Sequence, residues 1–476
     1  MIGYYLTGAF LISLSLFFNR NKLVNNILIS VFLVMQWAFT IYEFQHINVK
    51  ELDYFKPDAL AILLLVTLSI IAIPAFFHNY TYIHSKDEDH PKVRSIYYAA
   101  MTVIITAIGA AYLSCHIAVT WIFVELTTLS ASALIFHRRN TGSLEATWKY
   151  IFVCSISITF VFIGILFLSI ALEQAGSTDL SYESLHVKAS SLNIFWLRLA
   201  FIFIFTGFTA KLGLVPMYTA GIDAKDKAPT PAAALFSSVL MNVGFVGIFR
   251  FYEVITHTSI QPWANHIIMI AAFLSVFIAT VYMLKVKNIK RMLAYSSIEH
   301  MGIVMLGIAA GGIGYYAAVL HIVLHAFVKS AMFFQIGQVY NIYRSKSIYY
   351  VGNYFKYNLL GALVLLLAFI CATAMPPSGL FISEFMIFRS MFEAHYLAVL
   401  IPLLILLTMI IWAFGKNIFK LLFSPPVGFD ETAIEKVNPL ESWSQLVLLG
   451  LVIYLGLNPP SEFVYLIQEA VKNFAH

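Results

Sequence analysis

The sequence has 476 residues, of which 60% are hydrophobic and only 11% are charged, and its mean hydropathy is +0.83. Soluble domains carry charges on roughly a quarter of their residues, so this composition excludes an ordinary water-soluble fold. The net charge of +5 does not indicate nucleic-acid binding, because the basic loops of a membrane protein produce the same excess.

Apolar stretches of about 20 residues recur along the whole chain, each long enough to cross a hydrocarbon core of ~30 Å. They predict an all-α integral membrane protein with about fourteen spans and no separate soluble domain. In chain order the predicted spans cover residues 2–18, 27–46, 59–80, 95–113, 115–136, 148–173, 195–219, 230–254, 265–284, 292–310, 313–340, 358–390, 395–423 and 441–458.

Basic residues are concentrated in alternate loops between the predicted spans. By the positive-inside rule these loops face the cytoplasm, and an even number of spans then puts both termini on the non-cytoplasmic side. We therefore expect a multi-pass protein of the inner (cytoplasmic) membrane. The basic loops contain Arg20, Lys22, Lys86, Lys92, Arg94, Arg138, Arg139, Lys149, Lys225, Lys227, Lys285, Lys287, Lys290, Arg291, Arg344, Lys346, Lys356, Lys416, Lys420 and Lys436.

The three cysteines, Cys115, Cys154 and Cys371, lie far apart in apolar segments and form no C-x-x-C pair. They offer no ligand set for a zinc site or an iron–sulfur cluster. The sequence also lacks a phosphate-binding loop, a dinucleotide-binding fingerprint and a nucleophile elbow. We expect no cofactor and no resident metal, so any redox or ATP chemistry must belong to another protein.

Glu125 lies near the middle of the fifth predicted span. A charged side chain at that depth costs at least ~2.5–3.5 kcal/mol, so an ionisable residue there indicates function. The alternative is a neutral carboxylic acid hydrogen-bonded to Thr127 or Thr128.

Lys211 lies deep in the seventh predicted span, and Gly213 and Pro216 follow it closely. Proline removes a backbone donor and clashes with the preceding turn, so we expect the helix to break here. Broken helices at membrane depth are tolerated where they line a cavity or are buried in protein. A lysine beside such a break can be hydrated and release a proton, whereas a snorkelling lysine would have to reach across half the membrane.

In the eleventh span, His321, His325 and Lys329 are spaced i, i+4 and i+8, which places them on one helical face. Imidazole titrates near neutral pH and can both donate and accept a proton, so this stripe favours a proton relay. The two histidines could also bind a metal, but no third soft ligand lies nearby in the sequence.

The twelfth span is interrupted by Pro376, Pro377 and Gly379, and Glu384 lies just beyond the interruption. Each half of the chain thus contains one interrupted helix with an ionisable group beside the break. Such a pair of interrupted segments is typical of transporters built from repeats, with sites at the membrane midplane.

Several long motifs resemble one known family. The segments KLGLVPMYTAGIDAKDKAPTPAAALFSSVL, NIKRMLAYSSIEHMGIVMLGI, HIVLHAFVKSAMFF and AMPPSGLFISEF resemble helices 7–8, 10, 11 and 12 of the antiporter-like subunits of respiratory complex I. VELTTLSASALIFHRRNTGSLEATWKYIFVCSISI together with AYSSIEHMG is similar to the F subunit of hydrogenase-4 and formate-hydrogenlyase-type complexes. The resemblance covers roughly residues 60–425.

This resemblance implies two inverted five-helix repeats, helices 4–8 and 9–13, with helices 7 and 12 broken. It divides the chain into 1–94 (helices 1–3), 95–255 (first repeat), 265–424 (second repeat) and 425–476 (last helix and a short tail). It also implies that Glu125 and Lys211 form an ion pair whose opening lets the lysine pass its proton inward. His321, His325, Lys329 and Glu384 would then relay the proton to the non-cytoplasmic side.

The chain departs from the family pattern at two places. Many members carry W-L-P-D-A-H after the broken helix, where this chain has A-G-I-D-A-K. On helix 8 a bridging histidine or lysine is replaced by Ser237 or Asn242. These side chains can hold water but cannot take up a proton at neutral pH. The resemblance therefore implies two half-channels joined through water.

Two charged groups lie outside this row. Glu145 and Lys149 are spaced i, i+4, and they form either an ordinary helix-start ion pair or a cytoplasmic entrance to the pathway. Lys225, Asp226 and Lys227 are interpreted as a solvated loop.

The leading functional hypothesis is a proton-translocating subunit of a redox-driven membrane complex of the group 4 hydrogenase or NADH-quinone oxidoreductase type. The expected partners are other membrane subunits and a peripheral catalytic module. The alternatives are a subunit of a multisubunit Na⁺/H⁺ antiporter, the membrane half of an inorganic-carbon uptake complex, and a structural anchor. Protons are favoured over Na⁺ because a sodium site needs clustered oxygen ligands.

Overall fold

The computed structural model describes residues 1–83, 90–429 and 437–474, so the basic positions Lys86 and Lys436 lie outside the described residues. Within them the secondary structure is helical, apart from isolated bridges such as the one between Glu51 and Phe55. The α-helices are α1 (Ile2–Phe18), α2 (Lys22–Gln45), α3 (Ala59–Ile83), α4 (Pro91–Leu113), α5 (Ile117–Ile135), α6 (Thr141–Gln174), α7 (Tyr182–Lys188), α8 (Ile194–Leu212), α9 (Ala220–Lys227), α10 (Thr230–Ser237), α11 (Val239–Thr256), α12 (Gln261–Lys285), α13 (Ile289–Ala310), α14 (Ile313–Tyr343), α15 (Tyr354–Tyr357), α16 (Leu359–Ala372), α17 (Gly379–Glu393), α18 (Leu397–Phe423), α19 (Pro439–Leu457) and α20 (Ser461–Val471).

The long helices match the apolar stretches of the sequence. Twelve segments of the described chain are long and apolar enough to cross a membrane. The predicted first span corresponds to the 17-residue helix α1, and the predicted twelfth span to the pair α16 and α17. The prediction of an all-α, multi-pass membrane protein is therefore confirmed.

Asparagine side chains begin many of these helices. In each case the side-chain oxygen accepts a hydrogen bond from a backbone N–H of the first turn, which satisfies a donor that the helix itself leaves open. The helix starts are thus set locally by the sequence. The capping residues are Asn21, Asn140, Asn193, Asn288, Asn358 and Asn438.

The chain divides into two compact units. Unit 1 consists of Met1–Ala232, Val239–Ile267 and Tyr465–His476, and unit 2 of Ala233–Ser238 and Ile268–Val464. In unit 1, α6 packs along α8, and α4 packs against α1 and α5. In unit 2, α13 and α14 are buried throughout their apolar cores, and α17 and α19 pack against α14.

In unit 1 the helix break predicted after Lys211 is present. Helix α8 ends at Leu212, and Gly213 adopts a left-handed conformation with φ of 84°. A turn then leads to α9. Helix α11 passes so close to this end that a Cβ on Gly244 would lie 2.4 Å from the Leu212 nitrogen. The backbone therefore leaves its helical path while tightly packed inside protein.

The second predicted break is also present, in unit 2. Helix α16 ends at Ala372, and Ser378 caps α17 by accepting a hydrogen bond from the Leu380 N–H. Pro376 and Pro377 lie between the two helices and are exposed. The proline pair therefore separates two half-helices, α16 and α17. Glu384 lies in the N-terminal half of α17 and is buried.

Candidate functional site

Lys211 belongs to the last turn of α8, and only 7% of its surface is exposed. Its Nζ donates a hydrogen bond of 3.1 Å to the Tyr150 hydroxyl oxygen on α6. Cys154, one turn further along α6, is also close enough to Lys211 for an electrostatic interaction. The first break thus presents a buried amine to a phenol and a thiol.

Glu125 lies on α5, where its Oε2 is buried and finds no hydrogen-bond partner among the described residues. The hydroxyl groups of Thr127 and Thr128 both donate to the Val124 carbonyl oxygen, at 2.6 and 3.3 Å, so they do not bond the acid. Within the described chain no salt bridge joins Glu125 to Lys211, although the two groups are close enough to interact electrostatically. The ion pair that the resemblance implies between Glu125 and Lys211 is therefore not formed in the structure.

The interpretation of residues 225–227 as a solvated loop is wrong for two of the three residues. Lys225 and Asp226 belong to α9 and are 4% and 2% exposed, because α9 packs back against α6. The Lys225 Nζ lies 3.1 Å from the Met241 sulfur on α11. Only Lys227 remains accessible, with 41% of its side chain exposed. Short polar helices of this kind resemble loops in sequence.

Glu145 and Lys149 form the expected ion pair, with 2.6 Å between Oε1 and Nζ. Lys149 also lies 3.6 Å from the Asp223 carboxylate on α9. Both members of the pair are more than half exposed. The pair links the start of α6 to the segment beyond the first break.

Unit 1 also contains a buried arginine that the sequence analysis did not single out. The Arg250 Nη2 on α11 bonds the Asp58 carboxylate and the Tyr112 carbonyl oxygen, both at 2.8 Å, and Nη1 bonds the Ser114 carbonyl oxygen. Arg250 and Asp58 line a cavity of about 480 Å³. The arginine therefore ties three segments of unit 1 together.

Ser237 and Asn242, the uncharged positions on the eighth predicted span, are both buried. In unit 2 the Ser237 hydroxyl lies 2.6 Å from that of Ser297 on α13, and Ser330 on α14 donates to the Ser238 hydroxyl at 3.0 Å. Asn242 is fully buried in α11 of unit 1. Hydroxyl groups thus link α10 to the core helices of unit 2.

A row of polar side chains runs through unit 2. Lys329 is fully buried, and its Nζ donates to the Ser296 hydroxyl at 2.6 Å. The Ser296 hydroxyl in turn lies 3.4 Å from the Glu299 Oε2, and this oxygen is 3.9 Å from the His300 Nε2. The row therefore connects α14 to two adjacent titratable residues on α13.

The row continues from His300 to the second broken helix. The His300 Nδ1 lies 3.1 Å from the His321 Nε2 and 3.7 Å from the Glu384 Oε1. The outer nitrogens also have partners: His300 Nε2 faces the Ala372 carbonyl oxygen, and His321 Nδ1 faces the Ser383 hydroxyl, each at 3.0 Å. We call Lys329, Ser296, Glu299, His300, His321 and Glu384 the unit 2 row.

Lys329, His321 and Glu384 of this row were predicted from the sequence, whereas Glu299 and His300, which lie between them, were not. A glutamate and a histidine side by side near the middle of an apolar 22-residue helix were the available signal. His325, also predicted, is fully buried, and its ring centre lies 5.2 Å from that of His300. Helix α13 therefore supplies the groups that join the predicted stripe on α14 to α17.

These features define a class: a polytopic α-helical membrane protein with broken helices and a buried row of titratable side chains. The sequence matches the profile of the family described as NADH:quinone oxidoreductase/Mrp antiporter, transmembrane, over residues 114–410. This is more than half of the chain, and the chain belongs to that family.

Individual relatives and solved structures agree with this membership. The chain is 29% identical to a hydrogenase-4 component F homolog of Methylacidiphilum infernorum, over 79% of this chain and 80% of that protein. It resembles a chain of the membrane-bound sulfane sulfur reductase, an archaeal respiratory membrane complex, with a TM-score of 0.86, 21% identity and coverage of 99% and 96%. A chain of the Mrp complex from Dietzia sp. DQ12-45-1b gives a TM-score of 0.84, with 16% identity and coverage of 99% and 95%.

Proposed function

We propose that this chain is a proton-translocating, antiporter-like subunit of a multisubunit redox-driven membrane complex of the group 4 hydrogenase type. The observation that carries the proposal is the unit 2 row, in which each side chain lies within 3.9 Å of at least one other member. Ionisable residues inside a membrane are rare, and rows of them are typical of proton relays. The relative named as a hydrogenase-4 component F homolog supports the type of complex.

In this proposal the proton moves along unit 2 from Lys329 through Ser296 and Glu299 to His300, and leaves by Glu384. Each of these groups except the serine can hold the proton, while a hydroxyl both donates and accepts a hydrogen bond. In unit 1, Glu125 and Lys211 form the electrostatic switch. A closed pair keeps the proton on the lysine, and the open arrangement lets the lysine give it up.

We also propose an arrangement of repeats, termini and partners that accompanies this function. Residues 95–255 and 265–424 form inverted repeats, residues 1–94 precede them, and 425–476 contain the last helix and a short tail. The chain lies in the inner membrane with both termini on the non-cytoplasmic side. Its partners are other membrane subunits and a peripheral catalytic module. The redox chemistry is assigned to that module because the sequence has no recognised cofactor motif.

Transport of protons is favoured over transport of Na⁺ by the chemistry of the row. Two imidazoles and a primary amine are among its groups, and hard cations such as Na⁺ prefer oxygen ligands. A subunit of a multisubunit Na⁺/H⁺ antiporter is the second candidate, supported by the fold likeness to the Mrp chain.

The test uses inverted membrane vesicles that contain the assembled complex, with proton uptake followed by a fluorescent pH probe and ²²Na⁺ uptake measured in parallel. Lys329→Met should reduce proton uptake by more than about tenfold, because it removes a proton carrier from the row. The exposed Lys472→Met serves as control, since its only described acidic partner is Glu469 on the surface helix α20. Unchanged proton uptake in Lys329→Met, or uptake of Na⁺ alone, would contradict the proposal.

A further inference from the structure

Three side chains of the unit 2 row bring metal-binding atoms together from three helices. The His300 Nδ1, the His321 Nε2 and a carboxylate oxygen of Glu384 all lie within 4.8 Å of one another. The two nitrogens are 3.1 Å apart, and His300 Nδ1 is 3.7 Å from the Glu384 Oε1. Ligands at the usual ~2.0–2.1 Å from a tetrahedral metal ion are separated by similar distances.

The outer hydrogen bonds permit a tautomeric state in which both inner nitrogens can act as ligands. A carbonyl oxygen only accepts, so a neutral His300 carries its proton on Nε2 towards Ala372 and leaves a lone pair on Nδ1. The Ser383 hydroxyl lies 3.0 Å from both His321 Nδ1 and the Leu380 carbonyl oxygen. When this hydroxyl donates to Leu380, it accepts from His321 Nδ1–H, and the lone pair of His321 is then on Nε2.

In that tautomeric state both inner nitrogens present lone pairs that a metal ion can bind; when Ser383 instead donates to His321 Nδ1, the two nitrogens share a hydrogen bond of 3.1 Å. Metal binding therefore replaces the proton of this hydrogen bond. The outer partners of both imidazoles are a backbone carbonyl and a hydroxyl, the kind of support that orients histidine ligands in metal sites.

We propose that His300, His321 and Glu384 form a binding site for a divalent transition-metal ion, with Zn²⁺ as the preferred class. Two imidazoles and one carboxylate are an established type of zinc ligand set, and they leave the fourth position to water. Nitrogen ligands disfavour Mg²⁺, Ca²⁺ and Na⁺.

Charge balance at this depth also favours a divalent cation. The Glu384 carboxylate would ligate the ion directly, and the Glu299 carboxylate lies 3.9 Å from the His300 Nε2. Two carboxylates neutralise two positive charges when Lys329, the nearby cation of the row, is uncharged. Metal binding and a charged Lys329 therefore oppose each other.

The consequence is that the bound metal blocks the proton pathway. The ion would bind His300 Nδ1 and Glu384, the two groups through which the proton leaves in the proposed pathway. The ion would also tie α13, α14 and α17 together, which opposes any movement of the half-helix that carries Glu384.

The test uses the purified full-length chain without a polyhistidine tag, with Co²⁺ as the probe because tetrahedral Co²⁺ absorbs strongly in the visible range. We expect one equivalent of Co²⁺ to give this absorption and Zn²⁺ to abolish it, since Zn²⁺ binds such ligands more tightly. Glu384→Gln and His321→Gln should each weaken binding by more than about 100-fold, beyond the usual cost of losing an outer partner.

Two further variants separate a built site from adventitious binding. Ser383→Ala removes only the outer partner of His321 and should weaken binding by about 10–100-fold. His78→Gln is the matched control, because it removes a buried histidine of α3 in unit 1 and should leave binding unchanged. A chain that gives no tetrahedral Co²⁺ absorption, or binding that survives Glu384→Gln and Ser383→Ala in folded protein, would overturn the proposal.

Discussion

In the proposed pathway along unit 2, Glu299 lies between two gaps that are longer than an ordinary hydrogen bond. Hydrogen bonds between such groups are usually 2.7–3.2 Å long, whereas the Glu299 Oε2 lies 3.4 Å from the Ser296 hydroxyl and 3.9 Å from the His300 Nε2. A small movement of this one side chain, or a bridging water, closes either gap. Glu299 is therefore the residue where we expect transfer to be controlled.

Glu299→Gln should lower proton uptake by vesicles containing the complex by more than about tenfold, because an amide has the same shape but cannot carry a proton. The assay is the same measurement of proton uptake during redox turnover. Glu393→Gln is the matched control, since that carboxylate is 53% exposed and pairs with Arg389 on the surface. Equal uptake in both variants would remove Glu299 from the pathway.

Tyr150 supplies the hydroxyl that accepts the hydrogen bond from Lys211 in unit 1. Tyr150→Phe removes the hydroxyl that accepts the hydrogen bond from Lys211, and a lost bond to a charged donor costs about 1.5–3 kcal/mol. We expect thermal unfolding of the purified chain to show destabilisation of this size. In a Lys211→Met background, Tyr150→Phe should lower the free energy of unfolding by less, because the hydrogen bond between the two side chains is already absent. If the stability losses of the two single variants simply add in the double variant, the contact between Lys211 and Tyr150 contributes nothing to stability.

At the scale of the helices, the sequence was informative where a residue acts on its own backbone. Pro216 and the Pro376–Pro377 pair predicted both interruptions, because a proline in the interior of a helix removes a backbone hydrogen bond and clashes with the preceding turn. Glu299 was not predicted, and Lys225 was interpreted as part of a solvated loop, for the opposite reason: their burial and contacts come from helices that approach them in space. Helix α9 is too short and too polar to show the apolar periodicity of a buried helix. The sequence also does not indicate how closely α13 approaches α17.

Helix α19 allows a matched test of close packing in unit 2. A Cβ on Gly456 would lie 2.1 Å from the Gly379 Cα at the start of α17, whereas a Cβ on Gly450 meets nothing within 4 Å. Gly456→Leu should therefore destabilise the chain by about 1–3 kcal/mol through overpacking. Gly450→Leu, on the same helix, should unfold at the wild-type temperature. Equal melting temperatures of the two variants would show that the close packing of α19 against α17 does not contribute to stability.

At the scale of the whole molecule, the loops of unit 1 predict which of its faces lies on which side of the membrane. Loops that follow α2, α4 and α6 meet on one face: Cys115 N–H donates to the Tyr54 carbonyl oxygen at 2.9 Å, and Tyr182 N–H donates to the Cys115 carbonyl oxygen at 3.0 Å. The N-terminal amine joins them through a salt bridge to Glu51. The opposite ends of α2, α4 and α6 carry most of the basic residues of unit 1, so the positive-inside rule predicts that the Cys115 face is non-cytoplasmic. These residues are Lys22, Lys92, Arg94, Arg138, Arg139 and Lys149.

Cys115 makes this orientation testable in the native chain, because it is partly exposed while Cys154 and Cys371 are buried. A membrane-impermeant maleimide should label right-side-out vesicles and leave inverted vesicles unlabelled. Burial raises the pKa of the Cys115 thiol, and the thiolate is the reactive form. The labelling rate should therefore be low at pH 7 and should keep rising above pH ~8.5, where the rate for an exposed cysteine levels off. Cys115→Ser should abolish the label and Cys371→Ser should retain it, and labelling confined to inverted vesicles would reverse the proposed orientation.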